Sequence, residues 1–548
     1  MKILEKEPDK YDEEFHKLFP ESSSIYEIIR KKVGKVGRIL EIGCGTGQLA
    51  IQLAEQDLDV VAVDISVEMI NHARKSAEKE QVSINFIQGS FIDFQIFDNL
   101  KNLGPFDFIV STFVLSEFSP LQQELFIKQT SQLLKTTGSL LIAAETIPTS
   151  LFKRFVYSMK QAINSQIMLL RSSATTTPIR NFEVLLSDYY SCELLYKGLK
   201  KSVQFYQCRL KETLDSKRVS FTPINSVLGR VSRIKVAWCI LNGLLTRKQV
   251  PPGLYKVGTP KQTSPFLVTG NYYWTLHSVY SSLIKQKIDC YLLVIDSAGI
   301  NVWCAAGGGH FSHSQVIDAL RLFNAELVVN HRNLILPQLS ATGVDHQKLK
   351  DFGWKSKFGP VYIDSIDDFI RDGNKTQNQG KVKFDFSYRT LMGIQHTFFI
   401  LIVVFLPLCF LTGFLGYLRI IGALFWFNVM IQMTIIGCTV SMLFAWIYPI
   451  LNPVRSFFKK GILLGGINAV LVFIYVINQG NNIGTVLFWI ALVLLVSMFV
   501  VLDFAGSTPF TNHLDVESDL VLFSIPALVL AVIALLLPVV SSAINMLL

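Results

Sequence analysis

The chain has 548 residues, half of them hydrophobic and 17% charged, with a mean hydropathy of +0.38. It is too long for one core and too apolar for a wholly soluble protein, so two or more folded units plus a membrane part are expected. The net charge of +9 is modest and its basic pairs (Lys31–Lys32, Lys200–Lys201, Lys459–Lys460) are scattered, which argues against a nucleic-acid partner.

Nearly all the charged residues precede about residue 390, and the remainder is almost uncharged. The eight cysteines show no CxxC pair and no paired spacing, so neither a disulfide framework nor a zinc site is expected. Met1–Lys10 is charged and lacks an apolar core. It does not read as a signal peptide, and the first domain is expected in the cytoplasm.

Residues 25–145 alternate short apolar strands with amphipathic helices. Arg38–Ile42, Val60–Asp64, Ile84–Ile87, Phe106–Val110 and Gly138–Ala144 read as strands, Gln48–Gln56 and Val67–Lys79 as helices. Such a series predicts a parallel sheet covered on both faces. Residues 150–172 read as helical, and Cys192–Tyr196 with Ser202–Arg209 as a closing antiparallel hairpin. The first domain is placed at 1–212 and a polar linker at 213–228. A second α/β domain follows at 229–375, with strands at Phe266–Thr269, Asp289–Ile295 and Ala325–Val329. After a juxtamembrane segment (376–396), five apolar runs lie within 397–548, at 397–418, 421–447, 461–477, 483–502 and 520–543. Each is near the length that crosses a bilayer. Arg455, Lys459 and Lys460 between the second and third runs predict a cytoplasmic loop. This gives a multi-pass protein of the cell inner membrane, held in membrane lipid, with soluble domains in the cytoplasm and the C-terminus outside.

The first chemical signal is Glu41-Ile42-Gly43-Cys44-Gly45-Thr46-Gly47, which follows a strand and opens a helix. Glycines permit a sharp turn and close approach to a ligand. The spacing alone does not separate this turn from a dinucleotide site or from a domain without ligand. Asp64 ends the next strand, where an acid accepts hydrogen bonds from ribose hydroxyls. The pattern resembles the first motif of class I S-adenosylmethionine-dependent methyltransferases over about residues 10–212. That resemblance implies a Rossmann-like sheet ending in a hairpin. It implies that Gly43, Gly45 and Gly47 lie under the methionine end and that Asp64 binds ribose. Ile65 and Met69 would flank adenine, with Ser90 and Phe91 on its other side. Ser90 stands where an acid is often found. The acceptor is not legible: Ser111–Phe118 holds no amide-rich reader, Glu117 reads as a base or a surface acid, and Cys44, Cys192 and Cys208 read as core residues.

The second signal is Asp296–Gly309: a strand end, a turn, a short helix bearing Trp303 and Cys304, and three glycines. Physically this is a ligand face with a candidate thiolate, or else a buried structural cysteine. Asn301-Val302-Trp303-Cys304-Ala305-Ala306-Gly307 resembles the cap-helix signature of the HgcA family, the corrinoid proteins of mercury methylation, related to the large subunit of the corrinoid iron–sulfur protein. Val250–Tyr255, Leu267–Tyr272, His331–Leu339, Phe358–Val361 and Asp503–Thr511 carry the resemblance across roughly 235–548. It implies that Cys304 is the lower axial ligand of a corrinoid cobalt. Asn301, Val302, Trp303, Ala305 and Gly307 would hold the cap helix, and Thr269 and Asn271 would line the opposite lobe. The family usually has Lys where this chain has Gly308. The fold expected is thus α/β twice over, a methyltransferase domain then a corrinoid-binding domain, followed by an all-α transmembrane bundle of about five helices. The function implied is methyl transfer from S-adenosylmethionine to cobalt and on to Hg(II) or a similar soft acceptor, with a ferredoxin-like iron–sulfur reductant as partner. The alternative is a small-molecule methyltransferase fused to a corrinoid carrier or sensor.

Overall fold

The computed structural model describes residues 8–35, 37–147, 179, 181–198, 203–212, 219–228, 248–382, 384–405, 410, 423–451, 453–454, 456–478 and 483–505. It divides into two compact units, Met1–Ser220 with Asp318–Leu327, and Phe221–Ile317 with Val328–Leu548.

The first unit opens with helices α1 (Pro8–Leu18) and α2 (Ser22–Val33). It continues as β1 (Arg38–Ile42), α3 (Gln48–Ala54), β2 (Asp59–Asp64), α4 (Val67–Lys79), β3 (Asn85–Gln88), α5 (Phe94–Leu103), β4 (Phe106–Thr112), α6 (Pro120–Leu133), β5 (Leu134–Glu145), β6 (Tyr190–Lys197) and β7 (Val203–Leu210). The seven-stranded sheet has the order β3-β2-β1-β4-β5-β7-β6. All neighbours are parallel except β7, which runs antiparallel to β5 and β6. Strands such as Val60–Val63 are buried along their length, as a sheet covered on both faces requires. The order reverses between β1 and β4, where Ile42 pairs with both Val63 and Ser111. Such a switch point leaves a crevice at the strand C-termini.

Two expectations change here, and one is not reached. Helix α3 ends at Ala54, two residues short of Gln56, because Asp57 takes a left-handed φ of 62° and turns the chain into β2. The helix expected over 150–172 lies outside the described residues. Cys192 and Cys208 are not free core thiols. They face each other in the β6–β7 register and are joined in a disulfide.

The second unit holds a five-stranded sheet of β8 (Gly253–Val257), β9 (Phe266–Gly270), β10 (Cys290–Ile295), β11 (Asn333–Leu336) and β12 (Lys355–Phe358). Its order is β12-β11-β9-β10-β8, with β8 antiparallel at one edge and the other neighbours parallel. Helix α7 (Tyr273–Lys285) follows β9, and α8 (Val302–Gly307) follows β10. The strand expected at Ala325–Val329 does not form. Asn324 has a left-handed φ of 51°, Ala325–Leu327 is a 3₁₀ turn, and the sheet takes Asn333–Leu336 instead.

Beyond these lie α9 (Phe386–Phe399), α10 (Ala423–Leu451), α11 (Phe457–Asn478) and α12 (Ile483–Ala505). Among the described residues three stretches are long and apolar enough to cross a membrane: Ile431–Leu451, Phe457–Asn478 and Ile483–Leu502. Most of the expected run 397–418 and all of 520–543 lie outside the described residues. Lys459 and Lys460 belong to α11 rather than to a loop. Lys460 is buried, its Nζ 4.2 Å from the Phe457 ring centre and 4.7 Å from that of Tyr448, so apolar and π contacts carry its stem and head.

Candidate active site

At the switch point of the first sheet lies a cavity of about 230 Å³. The turn after β1 forms its floor, through Gly43, Cys44 and Gly45. Gly43 has φ 75°, and a Cβ there would collide with the side chain of Val114. Gly47 does not line the cavity; it caps the start of α3. Asp64, Ile65 and Met69 line one wall, and Ser90 and Phe91 another. Ile65 is well exposed, as a residue waiting for a flat partner would be.

Asp64 is oriented by the backbone. Its Oδ2 accepts from Gly45 N at 2.8 Å and its Oδ1 from Ser66 N at 2.9 Å. Burial raises its pKa, and the amides of Ser66 and Gly45 oppose that rise. A carboxylate has about four lone-pair sites, so capacity remains for two ligand hydroxyls. Glu41 lies beneath the cavity without lining it, 3% exposed and with Oε2 unpartnered. Burial, then the charge of Asp64, pushes its pKa up to about 8. Hence it is mostly neutral near pH 7.

The sequence did not disclose the cover of this cavity. Tyr11, Asp12 and Phe15 of α1 line it. Thr46 Oγ1 donates to Asp12 Oδ1 at 2.7 Å, and the Phe15 ring meets Phe113 edge-on at 5.6 Å. The i,i+4 pair Tyr11 and Phe15 was the available signal. Phe113 sits at φ 64°, a strained conformation for a bulky residue, beside Thr112 and Glu117 on the wall.

In the second unit, β9 and β10 end side by side, Gly270 paired with Ile295. The turn from Asp296 to Ile300 leads into α8. Asn301 caps that helix, its Oδ1 accepting from Cys304 N at 2.9 Å. Such a cap contributes about 1 kcal/mol. Val302, Ala305 and Ala306 are buried on the underside of α8, where they anchor it. Trp303, Cys304 and Gly307 are half-buried, and Gly308 and Gly309 are exposed. Thus Asn301 acts through the backbone, Val302 and Ala305 face the core, and Trp303, Cys304 and Gly307 share the accessible side. Thr269 is 2% exposed with its Oγ1 unpartnered, and Asn271 is buried beside it. Among the described free cysteines, Cys44 and Cys290 are buried, Cys438 lies in the apolar helix α10, and Cys304 is half-buried.

A family model described as "Methyltransferase domain" matches residues 39–138, and one described as "CO dehydrogenase/acetyl-CoA synthase delta subunit" matches 234–370. Among curated proteins, the acetyl-CoA decarbonylase/synthase complex subunit gamma of Methanopyrus kandleri is 33% identical over 132 residues, which is 24% of this chain and 28% of that protein. The subunit of the same name from Methanosarcina acetivorans is 39% identical over 98 residues, 18% of this chain and 21% of that protein. The chain therefore matches less than a third of the length of these relatives. Among solved structures, a SAM-dependent methyltransferase from Methanosarcina mazei aligns over 34% of this chain and 98% of its own, at 19% identity and a TM-score of 0.27. The chain joins a methyltransferase domain of class I fold to a domain of the kind found in those synthase subunits, followed by apolar helices of membrane-spanning length.

Proposed function

We propose that this protein is a membrane-anchored methyl carrier, which takes methyl from S-adenosylmethionine to a corrinoid held over Cys304 and delivers it to Hg(II) or a similar soft acceptor. The observation that carries the reading is the half-buried Cys304 on a helix anchored from below by Val302, Ala305 and Ala306. No group of three or more His, Cys, Asp or Glu among the described residues is placed to hold a bare metal ion. A metal enclosed in its own macrocycle needs only one protein donor, and a single thiol suits that demand. The exposed backbone at Gly308 and Gly309 leaves room for a flat ligand, and the orphaned Thr269 hydroxyl calls for a polar partner.

Trp303 and Gly307 would support the macrocycle, and Cys304 would be its thiol donor. A corrinoid supplies a metal centre that accepts and releases methyl, and the axial donor sets how electron-rich that centre is. The protein's own task is to present the sulfur and exclude competing donors. Asp64 and the Gly43–Gly45 turn hold the methyl donor. A small ferredoxin-like iron–sulfur partner supplies electrons. The soluble domains lie in the cytoplasm, on the inner face of the membrane, and the C-terminus lies outside. Gly308, in place of a lysine, removes a cation beside the thiol and narrows or slows acceptor use.

A second reading has support from the cover over the first cavity. With α1 latched by Asp12 and Thr46, the room beside the methyl donor suits a small acceptor. To separate the two, the full-length protein in lipid nanodiscs, loaded with cobalamin and reductant, receives methyl-labelled S-adenosylmethionine and Hg(II). Labelled methylmercury is expected. Label appearing only on added small molecules supports the second reading and overturns the first.

A further inference from the structure

The half-buried Cys304 rests on a bracket that is itself buried. Asn271 follows β9 and is 1% exposed. Its Oδ1 accepts from Ser297 N at 3.0 Å and from Gly299 N at 2.9 Å. Its Nδ2 donates to Asp296 Oδ1 at 3.1 Å, and that same oxygen accepts from Ala298 N at 3.0 Å. The backbone N of Asn271 donates to Ser297 Oγ at 3.1 Å. The Ser297 hydroxyl has one proton for two acceptors, Asn271 Oδ1 at 3.0 Å and Ile300 O at 2.9 Å. Gly270 completes the fit, since a Cβ there would lie 2.6 Å from Ser297 Oγ.

These bonds converge on a turn that would not hold itself. Ala298 and Gly299 both take left-handed φ, 56° and 66°, and for alanine that conformation is costly. The turn ends one residue before Asn301, whose side chain fixes Cys304 N. An amide meets the demand because it presents an acceptor to two backbone N–H groups and a donor to a carboxylate. A carboxylate or an alkyl group in its place fails one side or both.

We propose that Asn271 is a positioning residue for Cys304: it clamps the turn Asp296–Ile300 and so fixes the height and direction of the sulfur, without touching the ligand. This rests on the reading of Cys304 as an axial donor and deepens it. It also replaces the expectation that Asn271 lines the corrin lobe.

The test uses full-length protein in nanodiscs and three forms: wild type, Asn271→Asp, and the double variant Asn271→Asp with Asp296→Asn. The single variant keeps the acceptor side but sets two carboxylates against each other. The double variant restores the donor–acceptor pair between the two side chains with their places exchanged, but takes the acceptor away from Ala298 N, so it repairs only part of the loss. Two quantities are read: the cobalt absorption band of thiolate ligation after cobalamin loading, and the alkylation rate of Cys304 in corrinoid-free protein, resolved by mass spectrometry. For Asn271→Asp the ligated fraction should fall about tenfold, the scale of one lost hydrogen bond to a charged group, and alkylation should change several-fold. The double variant should return both toward wild type. Wild-type values in Asn271→Asp overturn the proposal, as does a loss that the double variant leaves wholly unrepaired. If the wild type itself shows no thiolate band, the axial-donor reading falls, while the alkylation rates still decide whether Asn271 positions Cys304.

Discussion

The two sheets carry different arrangements at the same topological place, the C-terminal ends of parallel strands. In the first, a nucleoside-sized cavity is enclosed by the β1 turn, by Asp64 and by the cover of α1. In the second, a half-buried sulfur stands on a six-residue helix whose underside is buried. A flexible cationic ligand must be surrounded to be held and desolvated. A rigid macrocycle that brings its own metal needs one donor at the right height. On the proposed reading, affinity in the first site would be spread over many contacts, whereas function in the second would concentrate in one atom and in what positions it.

That contrast sets the expected sizes of mutational effects. Cys304→Ala should abolish thiolate ligation and transfer to metal while leaving thermal unfolding of the protein nearly unchanged, since only a small half-buried group is lost. Cys304→His should retain corrinoid with an altered spectrum and poor transfer. An Ala variant with the wild-type cobalt spectrum and wild-type methylation would dissolve the contrast.

A graded effect is expected in the first site. Asp64→Ala should weaken S-adenosylmethionine binding by about 1–3 kcal/mol, the cost of losing hydrogen bonds to a charged group. Isothermal titration of the full-length protein reads this directly. A loss too large to measure would mean that Asp64 holds the Gly45 turn together rather than the ligand.

The smallest effect concerns Glu41 and sharpens the picture of a desolvated floor. Its pKa rises from 4.5 to about 8 on folding. The folded state therefore holds a proton that the unfolded state has released between those values. The stabilisation is complete below pH 4.5 and is lost as pH rises toward 8, at no more than about 1.4 kcal/mol per pH unit. Glu41→Gln should flatten that slope in the calorimetric transition that S-adenosylhomocysteine shifts. An unchanged slope would place the proton elsewhere.

Local chemistry was legible in the sequence and tertiary assembly was not. The Gly43–Gly47 turn and Asp64 announce themselves because turn geometry and strand ends are short-range features. Tyr11, Asp12 and Phe15 were missed because their role exists only once α1 folds over the cavity. Strand β11 (Asn-Leu-Ile-Leu) is too short, and β12 (Lys-Ser-Lys-Phe) too short and too polar, for a period-two pattern to show. The Cys192–Cys208 bond depends on the β6–β7 register rather than on sequence spacing. In α8 the 3.6-residue period does separate Val302, Ala305 and Ala306 from Trp303, Cys304 and Gly307. The bracket from Asn271 to the turn before α8 links residues about 25 apart, which no local rule reports.

The central claim is that both sites serve one methyl group. A single-turnover experiment follows label from S-adenosylmethionine in cobalamin-loaded, reduced, full-length protein with Hg(II) present. Label should reach the corrinoid first and the mercury product afterwards, and in Cys304→Ala it should not proceed to mercury. Label arriving on mercury at the same rate without corrinoid, or never reaching the corrinoid, would contradict the account.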